Sequence, residues 1–559
     1  MENEVQRPLA DFPVNIWEDI FTSFSNSDLG SDKLKEKHIT LKETVKESFM
    51  ASRANPIENI KFIDTLCRLG VSYHFEKDIT DKLEKSFDCL DFNQKIRQER
   101  CDLYTVGIVF QVFRQFGFKL SADVFNKFKD EDGKFKAHLV ADARGMLTLY
   151  EAAQWSTPGE DILDEALAFS NAHLEEISSR SSPHLAIRIK NALKHPFHKG
   201  ISRIETRKFI SYYEAEEKCD STLLEFAKID FNLLQMLYRH ELACVTRWHK
   251  EIEFESKIIY AKHRVAEACL WAVGTYFEPE YSQGRVLLAN VVILLTALDD
   301  TYDAYGTKEE LELFTYALEK WLPEAPNGIP DSMKHLYRTI IDFYDKLEDE
   351  LEKQGRSGCG FHLKKSLKST SNGYMQEVNW LKKDYTAKFD EYKENAILSS
   401  AYYAIMGVTF VGMGEVAKLD AFEWLSSHPK IRTAAEIICR FTDDITSYDV
   451  STNLEFRVLT IYKFEHKREH VATGIDCYMK QFCVSKELAV HGLFNIVSNA
   501  WKELNQELMR PHSFLFPFLM RILNLSRIID VVYRYEDAYT HPEFLKEHIV
   551  SLLIENIPI

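Results

Sequence analysis

The sequence predicts an all-α protein of two helical domains. Three observations carry that expectation. Apolar residues recur at three- and four-residue spacing through residues 223–242, 259–275 and 396–411. Clear alternating strand patterns are scarce. The 15 prolines and 21 glycines fall mostly between periodic stretches, as at 156–159, 323–330 and 355–360, where they mark interhelical loops.

At 559 residues the chain is too long for one core. A boundary near 225 divides it into a helical domain over 1–225 with no concentrated acidic chemistry and a domain over 226–559 that holds both acidic clusters. The net charge of −17 repels phosphate backbones and argues against a nucleic-acid partner. The ten cysteines contain no C-x-x-C pair and suit reduced thiols in a cytoplasmic protein. Residues 1–17 show neither a secretory signal nor the Arg/Ser bias of a transit peptide. The longest apolar-dominated run, 286–298, is too short for a membrane span and predicts a buried helix.

That run ends at Asp299-Asp300-Thr301-Tyr302-Asp303. On a helix, positions i and i+4 share a face, so Asp299 and Asp303 converge, with Asp300 alongside. Carboxylates this close repel unless a cation sits between them, and Mg²⁺ takes oxygen ligands and bridges carboxylates to phosphate. The pattern alone arises by chance in roughly one chain in ten of this size. Its place at the end of an apolar helix is what raises it.

A second cluster lies at Arg440, Asp443, Asp444 and Ser447. Asp443 and Ser447 are again i and i+4. A third ligand at i+8 would complete a stripe, but Ser451 stands there. Removing residues 449–462 (DVSTNLEFRVLTIY) brings Glu465 to i+8, so this segment reads as an insertion, the mark of a retained intron or a gene-model error. In one continuous helix Glu465 would stand about 33 Å from Asp443.

The chain resembles plant class I terpene synthases, in particular the angiosperm sesquiterpene synthase clade. The resemblance rests on Arg7-Pro8 followed by eight residues and Trp17, and on residues 159–168 (GEDILDEALA), 193–200 (LKHPFHKG) and 224–232 (LEFAKIDFN). It continues through 276–279 (YFEP), 299–306 (DDTYDAYG) and 539–542 (YTHP). It implies a catalytically silent N-terminal α-barrel-like domain and a C-terminal helical bundle that binds three Mg²⁺, with Mn²⁺ as a substitute. The implied metal ligands are Asp299, Asp300, Asp303, Asp443, Ser447 and Glu465.

The resemblance further implies that Lys262, Arg264 and Arg440 grip the diphosphate, Lys262 standing where the family has arginine. It implies that Trp271, Tyr402, Tyr533, Asp537 and Tyr539 line the pocket, and that Ser399, Ser400 and Ala401 form a helix break facing the substrate. The implied reaction is ionisation of farnesyl diphosphate and cyclisation of the carbocation to a sesquiterpene by a monomer. Two rivals are a monoterpene synthase acting on geranyl diphosphate and a pseudoenzyme disabled by the insertion.

Overall fold

The computed structural model describes residues 12–13, 15–17, 32–51, 55–89, 96, 101–448 and 472–559. Among these, regular structure is helical, and β pairing is limited to one bridge between Lys129 and Phe135. The chain forms two compact units. One comprises Asn26–Leu237, Lys502–Met520 and Val550–Ile559; the other Met1–Ser25, Tyr238–Trp501 and Arg521–Ile549. The division falls inside the helix Ser221–Glu251, beyond the position near 225 read from the sequence.

In the first unit the helices Pro56–Arg68, Leu103–Gln115, Ala143–Ala153 and Asp161–Arg180 pack in succession. Their starts are capped by short acceptors. The Asp102 side chain takes the Thr105 N–H at 2.8 Å and Asp142 takes the Gly145 N–H at 2.9 Å. Buried charge in this unit is paired. Arg68 reaches Asp64 at 3.0 Å and Glu151 at 2.6 Å. Asp230 Oδ1 lies 3.1 Å from His38 Nε2, 2.8 Å from His74 Nε2 and 2.7 Å from the Tyr73 hydroxyl, while Arg203 stands 3.7 Å from Oδ2. The C-terminus is held by Asn232, whose side chain donates to the Ile557 carbonyl at 2.8 Å and accepts its N–H at 2.9 Å.

The second unit contains the helices α1 (Val265–Thr275), α2 (Ser282–Ala304), α3 (Cys359–Lys382), α4 (Phe389–Ser399), α5 (Tyr402–Gly412) and α6 (Lys430–Tyr448), and it takes in the C-terminal part of α7 (Phe516–Tyr533). Helix α2 packs against α1, α3 and α5. Its apolar residues are buried almost without break from Leu288 to Leu298, as the sequence predicts. Close crossing of α2 and α5 depends on Gly284, where a Cβ would lie 2.7 Å from the Gly412 carbonyl oxygen. Two apolar stretches, Pro279–Ala304 and Phe389–Gly412, are long enough to span a bilayer, but 67% and 78% of their apolar windows are buried within the protein.

Two periodic stretches differ from their expected form. Residues 259–264 are not helical, and α1 begins only at Val265. The stretch 396–411 is broken between α4 and α5 at Ser400 and Ala401, where Ala401 takes φ of 58°. The resemblance anticipated this break. The Tyr402 hydroxyl, just after it, donates to the Leu525 carbonyl on α7 at 2.8 Å.

Candidate active site

Helix geometry sorts the three aspartates at the end of α2. Adjacent residues are turned by about 100°, so Asp300 faces away from the Asp299–Asp303 stripe. Asp300 is 1% exposed, accepts the Lys262 backbone N–H at 2.7 Å, and pairs with the Lys262 ammonium at 2.8 Å. In this structure the Asp300 oxygens are engaged by Lys262. The last turn is clamped on either side. The Tyr302 hydroxyl lies 2.6 Å from Thr315 Oγ1 and 2.7 Å from Ser371 Oγ, and Thr301 Oγ1 lies 2.8 Å from the Tyr260 hydroxyl.

Asp299 and Asp303 remain. Burial pushes the Asp299 carboxyl above its usual range; Lys262 opposes this and Asp300 adds to it. Asp303 is raised further, by burial and then by Asp299 and Glu377. Yet the Asp303 side chain is exposed to solvent. Both descriptions hold for a side chain that lines a wettable concavity while protein surrounds it.

On α6, Asp444 is buried and accepts the Tyr392 hydroxyl at 2.8 Å, and Arg440 Nε donates to the same hydroxyl at 3.0 Å. Asp443, one residue earlier, has no such donors among the described residues. Burial pushes it up to about 8; Arg440 pulls it down, while Asp537, Asp444 and Asp299 push it up. Asp443 and Asp299 therefore feel each other across one site. Ser447 stands one turn beyond Asp443 on α6. Glu465 and residues 449–462 lie outside the described residues, as do Arg7 and Pro8. The donors that face this site are carboxylate and hydroxyl oxygens on side chains short of positive charge. A hard divalent cation such as Mg²⁺ fits that set, and softer thiophilic metals do not.

Beside the carboxylates stand three aromatic rings. Trp271 on α1 meets Tyr539 edge to face, with centroids 5.6 Å apart at 87°, and Tyr533 at 6.5 Å and 69°. The Trp271 indole N–H has no acceptor among the described residues. Three of the four aromatic positions drawn from the resemblance thus come together, while the fourth, Tyr402, spends its hydroxyl on the Leu525 carbonyl.

The sequence matches the family model of the terpene synthase N-terminal domain over residues 16–193, and that of the terpene synthase metal-binding domain over residues 250–503. The chain belongs to the plant terpene synthase family. The synthase is 74% identical to the α-humulene/(−)-(E)-β-caryophyllene synthase of Arabidopsis thaliana over the full length of both. It is 43% identical to hedycaryol synthase of Camellia brevistyla, covering 99% of this chain and 97% of that one. Its fold matches isoprene synthase from grey poplar, solved with three Mg²⁺ ions and dimethylallyl-S-thiolodiphosphate, with a TM-score of 0.86 at 30% identity over 94% of this chain and 98% of that one. It also matches limonene synthase with 2-fluorolinalyl diphosphate, with a TM-score of 0.89 at 26% identity over 99% and 100%.

The basic residues of the synthase are more committed than the sequence implied. Lys262 is bound to Asp300, and its ammonium lies 4.5 Å from the Phe12 ring centroid. Burial works against its charge, but Asp300 and Asp299 raise its pKa. Arg264 donates to the backbone carbonyls of Tyr539 at 2.8 Å, Thr540 at 2.8 Å, Pro13 at 3.0 Å and His263 at 3.1 Å. Both were expected to offer donors to the diphosphate. In this structure they contact residues 12–13 and 539–540 beside the site. Asp537 serves the same C-terminal segment, its Oδ1 accepting from the N–H groups of Tyr539 at 3.1 Å and Thr540 at 2.9 Å. Arg440 stays close to Asp443; burial disfavours its charge, but Tyr392, Asp444, Glu377 and Asp443 raise its pKa well above normal.

Sequence reasoning missed Glu377, Tyr374 and Tyr392. Glu377 on α3 is 6% exposed and acts on Asp299, Asp303 and Arg440. Tyr374, one turn earlier on the same buried face, bonds to Asp299. A glutamate on the buried stripe of an amphipathic helix was the available signal. Tyr392 is an ordinary helical aromatic until Arg440 and Asp444 are folded against it.

Proposed function

We propose that this terpene synthase is a sesquiterpene synthase that ionises farnesyl diphosphate and closes the resulting cation to hydrocarbons such as α-humulene and (−)-(E)-β-caryophyllene. One observation carries the reading: two cation-deficient carboxylate groups, Asp299–Asp303 with Glu377 and Asp443 on α6, face each other beside the Trp271–Tyr533–Tyr539 wall. The 74% identity to the Arabidopsis thaliana enzyme supports the choice of substrate. Asp299, Asp303, Asp443 and Ser447 would hold Mg²⁺, with Glu465 completing the second set. When bound, Mg²⁺ supplies positive charge to the diphosphate leaving group as the allylic C–O bond breaks. We assign three ions by analogy with the poplar isoprene synthase complex, and Mn²⁺ as a substitute.

The protein's own residues do the rest. Arg440, held by Tyr392 and Asp444, keeps a permanent positive charge beside Asp443. Lys262 and Arg264 hold residues 12–13 and 539–540 beside the site. The rings of Trp271, Tyr533 and Tyr539 offer electron-rich faces worth about 0.5–2 kcal/mol each to a cation. The apolar flanks of α2 and α5 keep water from quenching it. No nucleophilic side chain is needed. We further propose that the enzyme acts as a cytoplasmic monomer.

The test is incubation of the purified full chain with farnesyl or geranyl diphosphate, with Mg²⁺ or with EDTA, and identification of volatiles by gas chromatography–mass spectrometry against authentic standards. Sesquiterpene hydrocarbons from farnesyl diphosphate, dependent on Mg²⁺, are expected. Turnover of geranyl diphosphate alone, or of neither substrate, overturns the reading.

A further inference from the structure

We infer that Thr296 is a positioning residue that orients Tyr539 and thereby helps set which products the site releases; this rests on the proposed function above. Thr296 lies on α2 three residues before Asp299, on nearly the same face of the helix, and is 8% exposed. Its hydroxyl meets two partners: the Val292 carbonyl at 2.8 Å and the Tyr539 hydroxyl at 2.7 Å.

A hydroxyl carries one hydrogen. Thr296 donates to the Val292 carbonyl, which can only accept. It must then accept from Tyr539, whose phenolic hydrogen is spent on it. The bonds run one way, from Tyr539 to Thr296 to the Val292 carbonyl. The phenol proton is turned into α2, and the phenol oxygen presents only lone pairs elsewhere.

The rest of Tyr539 is already fixed. Its backbone carbonyl accepts from Arg264 Nε at 2.8 Å, and its N–H donates to Asp537 at 3.1 Å. With the backbone pinned at both groups, the remaining freedom is rotation of the side chain. The Thr296 bond removes that freedom and holds the ring edge to face with Trp271 at 5.6 Å. Two cation fates that differ by about threefold in yield differ by about 0.65 kcal/mol in barrier. One neutral hydrogen bond is large enough to decide between them.

The experiment compares wild type, Thr296→Val, Thr296→Ser, Tyr539→Phe and the Thr296→Val/Tyr539→Phe double variant by product profile from farnesyl diphosphate. Valine keeps the volume and removes the hydroxyl; serine keeps the hydroxyl. Thr296→Val should change the ratio of main to side products by about threefold or more, while KM stays within about twofold. Thr296→Ser should restore the wild-type profile. The double variant should match Tyr539→Phe alone, since both changes cut the same bond. An unchanged Thr296→Val profile, a Thr296→Ser shift as large as the valine one, or additive effects in the double variant would each overturn the inference. If Thr296→Val does not fold, Thr296→Ser against Tyr539→Phe decides: the profile must hold in the first and shift in the second. Wild-type protein that makes no terpene from any prenyl diphosphate defeats the underlying function and this inference with it, whereas an active wild type with insensitive variants defeats the inference alone.

Discussion

Asp230 and Asp299 are both aspartates on helices with protein packed around them, and their proton affinities move in opposite directions. Burial raises the pKa of each. At Asp230 it is outweighed by hydrogen bonds from His38 and His74 and by the charges of His74 and Arg203, and the net displacement is strongly downward. At Asp299 the Lys262 charge is the largest opposing influence, and the net displacement is upward. The first unit thus meets the Asp230 charge with protein donors, and it pairs Asp64 and Glu151 with Arg68, although burial still leaves the Asp64 carboxyl raised. The second leaves Asp299, Asp303 and Asp443 to a charge that must come from elsewhere. A saturated carboxylate is architecture, and a cation-deficient group of them is a binding site.

The comparison is most exposed at Asp299. Asp299→Ala should lower turnover of farnesyl diphosphate on the order of 10²–10³-fold, as loss of one preorganised electrostatic contact does elsewhere. It should also weaken the rise in thermal midpoint that Mg²⁺ gives metal-stripped wild type. Circular dichroism checks that the fold is retained. Unchanged turnover would remove the metal-site assignment.

Asp230→Asn should do the reverse. It strips the charge opposite Arg203 and is expected to cost about 3 kcal/mol of stability, read as a lowered unfolding midpoint, with normal turnover below that temperature. Acid should act in the same sense. Because folding lowers the Asp230 pKa, its contribution is complete above the unfolded-state value of about 3.9 and is lost as pH falls below it. An Asp230→Asn protein should therefore lose less stability than wild type as pH falls below about 3.9.

Asp300→Asn separates the neighbouring aspartates. Lys262 would keep an acceptor but lose its counter-charge. We expect a fall in kcat/KM of about tenfold with the Mg²⁺ concentration for half-maximal rate unmoved, since each 1.4 kcal/mol is a factor of ten. A shifted Mg²⁺ requirement would return Asp300 to the ligand set. The smallest effect belongs to Tyr302→Phe. It removes bonds to Thr315 and Ser371 that clamp the last turn of α2, and should cost about 1–2 kcal/mol of stability with a modest rise in KM.

Much of the site was legible as text because its ligands are repeated at helical spacing. Asp299 with Asp303, and Asp443 with Ser447, are pairs within one helix, and local periodicity places them on one face. The resemblance supplied Trp271, Tyr533 and Tyr539, which share no local pattern. What escaped were single residues on distant helices. Glu377 has no acidic neighbour in sequence to mark it, and the commitment of Lys262 and Arg264 depends on Asp300, Pro13, Tyr539 and Thr540, which are spread over the chain. Residues 259–264 misled because an apolar period persists through a loop whose side chains are still buried at Tyr260 and Ala261. For the segment 449–462, sequencing transcripts across it decides whether Glu465 stands at its apparent spacing.

By itself, then, the amino-acid order determined that the chain is helical, where α2 is apolar, and which carboxylates share a helical face, because those properties repeat within a few residues and need no partner. Tertiary structure alone decided which aspartate is spent and which is left. Asp230 is neutralised by residues 38, 73, 74 and 203, Asp300 by residue 262, and Asp444 by residues 392 and 440. Burial raises the carboxyls of Asp299, Asp303 and Asp443, and that of Asp444 despite its partners; what separates Asp444 is that its oxygens are taken up by Tyr392 and Arg440. Charge compensation falls off over a few ångströms in space, and only the folded chain sets those distances.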